Sequence, residues 1–167
     1  MQPKRILIIG HARHGKDTVA ELLSFYYGYT FKSSSVAASE IFLYDVLKQK
    51  YGYKTPIECY KDRVNRRAEW HDLICEYNAT DKARLAKDIL KNADIYVGMR
   101  SNEELDECIK QDLFDIIIGV YNPRVPLEST NSFNIDIWGK SDIVIPNAGT
   151  ILDLTVKVKN LFNHFNL

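Results

Sequence analysis

Residues 6–18 read ILIIGHARHGKDT. Four apolar residues, Ile6 to Ile9, lead into a loop with glycines at 10 and 15 and a lysine at 16. A short continuous apolar run that ends in a glycine-rich turn is the pattern of a buried strand. A lysine directly after the second glycine matches the phosphate-cradling pattern G-x-x-x-x-G-K-[ST] in all but its last position. In that pattern backbone N–H groups curl around a phosphate, and the N-terminus of the next helix adds partial positive charge. Gly10 and Gly15 would permit the turn and the close approach. Lys16 would reach terminal phosphates, Arg13 would add positive charge, and Thr18 would donate to an alpha-phosphate. A plain strand-to-helix turn is the alternative. A dinucleotide-binding G-x-G-x-x-G is absent from the loop.

Asp17 stands where the pattern has a hydroxyl that ligates Mg²⁺. A carboxylate also holds Mg²⁺, directly or through water, so Asp17 and Thr18 are the candidate metal ligands. Two other roles for Asp17 stay open: accepting a proton from an attacking hydroxyl, and serving as a first-turn helix acid favoured by the dipole. His11 and His14 read as solvent-facing spacers within the loop.

Outward from the loop, apolar residues recur at helical spacing over 16–27, 36–50, 58–77 and the residues after Thr80, with a break at 51–56 around Gly52 and Pro56. Val64, Ala68, His71 and Cys75 are expected on one face of the 58–77 helix. Thr80 is expected to cap the next. A short second strand is expected at 29–33. The rhythm then changes. Strands are expected at 95–97, 114–120 and 143–145, with Ser101-Asn102-Glu103-Glu104 as a capping box and Thr150 capping a final helix. Residues 121–140, with Pro123 and Pro126, read as a long irregular loop. Apolar strands alternating with helices imply an α/β fold: a parallel sheet covered on both faces. Ligands of such sheets bind beyond the carboxyl ends of the strands.

The chain has 167 residues, enough for one domain with a substantial core. Lys plus Arg and Asp plus Glu are both 22, so the formal net charge is zero. That argues against a dedicated duplex-DNA binder, which carries a basic excess. Three cysteines, Cys59, Cys75 and Cys108, form neither a zinc pattern nor a disulfide framework, which fits a reducing compartment. After Met1-Gln2-Pro3-Lys4-Arg5 the apolar run is too short for a secretory signal, and no stretch approaches a bilayer span.

With these residues in view, GKDT after such a strand resembles the deoxynucleoside monophosphate kinases of large DNA bacteriophages. Three later stretches agree: IYVGMRSNEELD with that family's strand, arginine and acidic helix; FDIIIGVYNPR with its next strand and basic lid; SDIVIPNAGTILDL with its last strand, Asn-x-Gly turn and closing helix. The resemblance covers residues 4–34 and 93–162. It implies a three-layer P-loop kinase fold with about five parallel strands and helices on both faces. It implies one domain over 1–167, with an acceptor-binding helical region at about 35–92 and a lid at about 121–140. It also implies ATP and Mg²⁺ as cofactors. Gly10, Gly15, Lys16 and Thr18 would bind ATP phosphates, Arg100 would grip a phosphate of donor or acceptor, Arg124 would close from the lid, and Asn147 and Gly149 would lie by the adenine. The chain departs from the family where an aspartate is expected two places before Arg100. Gly98 stands there, which leaves Asp17 as the carboxylate nearest Mg²⁺.

The middle of the chain adds acceptor candidates. On one continuous helix Arg63, Arg66 and Arg67 would share a side, with Trp70 and His71 nearby: cations for a phosphate and an aromatic for a base. A solvated basic face with a packed tryptophan is the alternative. Ser33, Ser34 and Ser35 would bind acceptor phosphate or sugar, or else cap a helix. The activity expected is transfer of the gamma-phosphoryl of ATP to a deoxynucleoside 5′-monophosphate, with Lys16, Asp17, Arg100 and Arg124 as the catalytic set. The alternatives are a kinase acting on a hydroxyl within DNA and a nucleotide-binding module without catalysis. The partner expected is a small nucleotide, with DNA as the alternative; a homodimer stays open and a membrane is not expected. The location expected is the cytoplasm, that of an infected bacterium if the chain is phage-encoded.

Overall fold

The computed structural model describes residues 3–167; Met1 and Gln2, the start of the N-terminal stretch read above, lie outside the described residues. In chain order the elements are β1 (Ile6–Ile9), α1 (Lys16–Tyr27), β2 (Phe31–Ser33), α2 (Ser34–Ala38), a π-turn (Ser39–Leu43), α3 (Tyr44–Tyr51), α4 (Pro56–Asp62), α5 (Arg67–Tyr77), α6 (Arg84–Leu90), β3 (Ile95–Val97), α7 (Asn102–Lys110), β4 (Ile116–Tyr121), α8 (Ile137–Lys140), β5 (Ile143–Pro146) and α9 (Ile151–Phe165). All strand pairs are parallel, in the order β2-β3-β1-β4-β5.

The four residues of β1 are fully buried, and strand alternation sends them to opposite faces. Leu7 and Ile9 enter a core shared with Leu47, Leu85, Ile89, Tyr96 and Leu105. Ile6 and Ile8 enter a second core with Val19 and Leu23 of α1 and Leu154, Val158 and Leu161 of α9. One strand thus serves two cores, which is why it reads as an unbroken apolar run. Each side chain contributes roughly 1.5–3 kcal/mol by leaving water. The chain leaves β1 outward to β2, returns through β3, then crosses to β4 on the other side of β1. The connections diverge at the carboxyl end of β1, where such sheets open a crevice. Residues 10–15 sit there.

Three local expectations are corrected. The 58–77 helix is two, α4 and α5, separated by a tight turn at Arg63–Asn65; Arg66 has left helical geometry (φ −126°, ψ 24°) and Asp62 accepts hydrogen bonds from Asn65 and Arg66. Val64, His71 and Cys75 are therefore exposed, while Trp70 turns into the core. Thr80 caps nothing, since α6 begins only at Arg84. The capping box at Ser101 is half made: Ser101 Oγ accepts from Glu104 N–H (3.5 Å), but the Glu104 carboxyl turns inward to Tyr96. The cap at Thr150, with Asp153 answering, is complete. Among the described residues no helix is long and apolar enough to cross a membrane. The three cysteines are free thiols.

Candidate active site

The loop after β1 is shaped to present N–H groups. Gly15 (φ 100°) and Arg13 (φ 64°) adopt left-handed backbone, which at Gly15 costs nothing because no Cβ is present. Gly10 passes so close to β4 that a Cβ would stand 2.7 Å from the carbonyl oxygen of Val120. The side-chain amide of Asn147 donates to the carbonyl of His14 (3.0 Å), tying the end of β5 to the loop. Lys16, first residue of α1, is 8% exposed, with its ammonium 3.6 Å from the Asp17 carboxylate. Its stem lies against Gly98 at the end of β3, where a Cβ would be 3.5 Å from Lys16 Cε. Gly98 is itself left-handed (φ 91°), a conformation an aspartate rarely takes.

The expectation that His11 and His14 face solvent is overturned: both are buried and hold residues 122–128 over the loop. His14 Nδ1 accepts from Asn122 N–H (3.0 Å), and Nε2 lies 3.4 Å from the carbonyl of Pro126, which a donor on Nε2 satisfies. His11 Nδ1 accepts from Glu128 N–H (3.0 Å). Burial lowers the pKa of His11, and His14 beside it lowers it further. The ring therefore stays neutral and able to accept.

Glu128 completes this strap. One carboxylate oxygen accepts from Ala12 N–H of the loop (2.7 Å) and the other from Arg100 (2.6 Å). Burial would raise its pKa, but those two donors win and lower it. The loop N–H and Arg100 are thus already a working anion site, filled by a carboxylate of the same chain. The residues present fit a phosphate: donors converge, a buried lysine adjoins them, and an anion is held there. For Mg²⁺ the chain offers Asp17, largely exposed, and Thr18; among the described residues no three His, Cys, Asp or Glu side chains form a cage. That donor set fits an ion taking one or two protein ligands and the rest from phosphate and water.

A cavity of about 280 Å³ opens beside the loop. Ser34, Gly98 and Arg100 form its end near Lys16, Ser34 Oγ donating to the Gly98 carbonyl (3.2 Å). His71, Ile74 and Cys75 of α5 form one wall, residues 130–134 another, and Tyr96 with Glu104 the floor. Burial pushes the Glu104 carboxyl up to about 7, while the hydrogen bond from Tyr96 O–H (3.1 Å) works against that rise. The folded chain thus keeps a proton that the unfolded chain sheds near 4.5. Its contribution to stability is full below that value and is lost as pH rises through about 7. Glu104→Gln does not titrate, so its melting temperature relative to wild type should rise by several degrees between pH 4.5 and 8. A constant difference across that range would contradict this placement.

The structure brings Gly10, Arg13, Gly15, Lys16, Asp17, Thr18, Ser34, Arg100 and Asn147 to one end of the sheet. Ser33 ends β2, and Arg124 and Gly149 follow β4 and β5, at the same end, each engaged differently. Ser33 caps α2 through Val36 N–H. Gly149 packs on Asp153 within the α9 cap. Arg124 is exposed on the loop after β4, without an ion pair among the described residues. The arginine cluster does not line the cavity. The break before α5 spreads it: Arg63 lies over Tyr60, Arg66 over Tyr51 with Asp62, and Arg67 points to solvent. Trp70 is 5% exposed in the core. Glu128 and Glu104 were not anticipated. Only Glu104 left a trace in the sequence, a second acid at the start of α7.

Compared by sequence, the chain matches no protein-family model and no curated protein. Compared by structure, it is similar to shikimate kinase from Acinetobacter baumannii in complex with shikimate (16% identity, 99% of this chain and 96% of that chain, TM-score 0.56). It is also similar to dephospho-CoA kinase from Campylobacter jejuni (15%, 96% and 96%, 0.55) and to shikimate kinase from Bacteroides thetaiotaomicron (9%, 99% and 100%, 0.54). The five-stranded parallel sheet between two helical layers, with its glycine loop at the end of β1, is the P-loop kinase fold.

Proposed function

We propose that the chain is an ATP- and Mg²⁺-dependent kinase that transfers the gamma-phosphoryl group to a deoxynucleoside 5′-monophosphate. One observation carries the reading: Lys16 is buried at the end of the loop with its stem against Gly98, which lines the cavity, so a phosphate chain in the loop and an acceptor in the cavity would both lie near it. Phosphoryl transfer needs positioning and positive charge more than covalent chemistry. Lys16 and the loop N–H groups hold the donor phosphates. Arg100, at the mouth of the cavity, grips acceptor or transferred phosphate with its planar fork. Arg124 acts from the 121–140 segment, which lies over the loop and shields the transfer from water. The helices of 35–92 supply the acceptor wall. Asp17 and Thr18 would hold Mg²⁺, which would supply neutralising charge on the phosphates.

A phosphate oxygen is already anionic and needs no strong base. The two loop histidines have their Nδ1 atoms engaged by backbone N–H groups, which suits such an acceptor. A DNA hydroxyl remains the second reading, because Asp17 lies exposed beside Lys16. The small cavity favours a free nucleotide over a duplex. An ADP-release assay separates the readings: turnover with monophosphates supports ours, and turnover only with hydroxymethylated oligonucleotide supports the other. ATP binding with no turnover on either would mean a module without catalysis.

Entering phosphate must displace the Glu128 carboxylate. Glu128→Gln, which weakens that self-occupation by roughly one charge-assisted hydrogen bond, should tighten ATP binding about tenfold. Calorimetry checks it; weaker binding would show that Glu128 helps to hold the ligand.

A further inference from the structure

Phosphate binding makes no use of Glu104. We propose that Glu104 selects the acceptor by accepting a hydrogen bond from an N–H or O–H group at the end of the molecule remote from its phosphate; this rests on the kinase reading above. Glu104 is 9% exposed and lines the cavity, as Arg100 does. One of its oxygens accepts from Tyr96 O–H (3.1 Å); among the described residues the other has no partner and no cation pairs with the group. Its place as third residue of α7 would let it close the cap with Ser101, an outlet in water that the structure forgoes. A carboxyl withdrawn from its helix cap and buried without a counter-ion is costly unless something satisfies it. Local rules broken in this way cluster at functional sites.

The polarity of the cavity orients the acceptor. Arg100 at the mouth draws the phosphate. The carboxyl at the floor offers the phosphate no cation and welcomes a donor. A site built around a hydrogen bond also rejects analogues that lack the donor, because the buried group is then left unpaired. The donor has two chemical sources, the base N–H groups and the sugar hydroxyl.

The test measures kcat/KM of the wild type in the ADP-release assay. Acceptors are the four deoxynucleoside monophosphates, the same with base N–H groups methylated, and their 3′-deoxy forms. We expect one kind of modification, base or sugar, to cost about 30-fold. Glu104→Leu, which removes every acceptor at that position, should lose that discrimination while binding ATP as wild type does. Tyr96→Phe, which keeps the carboxyl, should retain it. A wild type indifferent to both modifications overturns the proposal without depending on any variant. So does Glu104→Leu discriminating as wild type does. If the wild type transfers to no monophosphate, the kinase reading itself falls, and this selection with it.

Discussion

Lys16→Ala should lower phosphoryl transfer about a hundred- to a thousandfold, the scale of removing one prepositioned donor from developing charge. It should leave the melting temperature within a few degrees of wild type. Lys16 is nearly buried, and its nearest partner, Asp17, is 3.6 Å away and mostly exposed. The ammonium therefore gains little in the resting fold. Its position is explained by a ligand that carries opposite charge, since a buried cation without a close partner is otherwise a burden. ADP release and a thermal melt on the same preparation check both halves. Near-wild-type turnover would remove Lys16 from the chemistry, and a collapsed melt would make its role structural.

Arg100→Ala should cost about a hundredfold in kcat/KM for the acceptor while ATP binding holds or improves. Arg100 links two things: it pairs with Glu128 over the loop and stands at the mouth of the cavity. Without it, Glu128 loses a charge-assisted hydrogen bond and competes less well for the loop N–H groups. The donor phosphates then meet less competition, and the acceptor loses its fork. Arg100→Lys should recover little, because an ammonium cannot offer two parallel N–H donors to a phosphate. Steady-state kinetics with varied acceptor and calorimetry with ATP separate the two effects. Equal losses in both would mean that Arg100 serves the donor site alone.

What could be read from the sequence follows how local the interactions are. Strand, loop and lysine lie within 13 consecutive residues, so pattern and mechanism coincide there. The alternation of apolar runs with helical spacing was enough for the sheet, because strands buried on both faces leave unbroken apolar stretches. Contacts between distant residues left no such mark. Glu128 meets Ala12 across 116 positions of sequence, and His11 meets Glu128 across 117. No spacing rule links such pairs, and a histidine among small polar residues looks like a spacer until its partner is known. The arginine cluster misled for the opposite reason. A helical wheel assumes one continuous helix, and the turn at Arg63–Asn65 breaks that premise. At Glu104 the capping pattern was correct for the backbone and wrong for the side chain, which the cavity claims instead.

Most direct is a titration of the protein with ATP and Mg²⁺ followed by calorimetry, run in parallel on wild type and Lys16→Ala. A loop built to wrap a triphosphate predicts saturable binding of one nucleotide per chain in the wild type and a large loss of affinity in the variant. No saturable heat in the wild type, or equal affinity in the two, would contradict it.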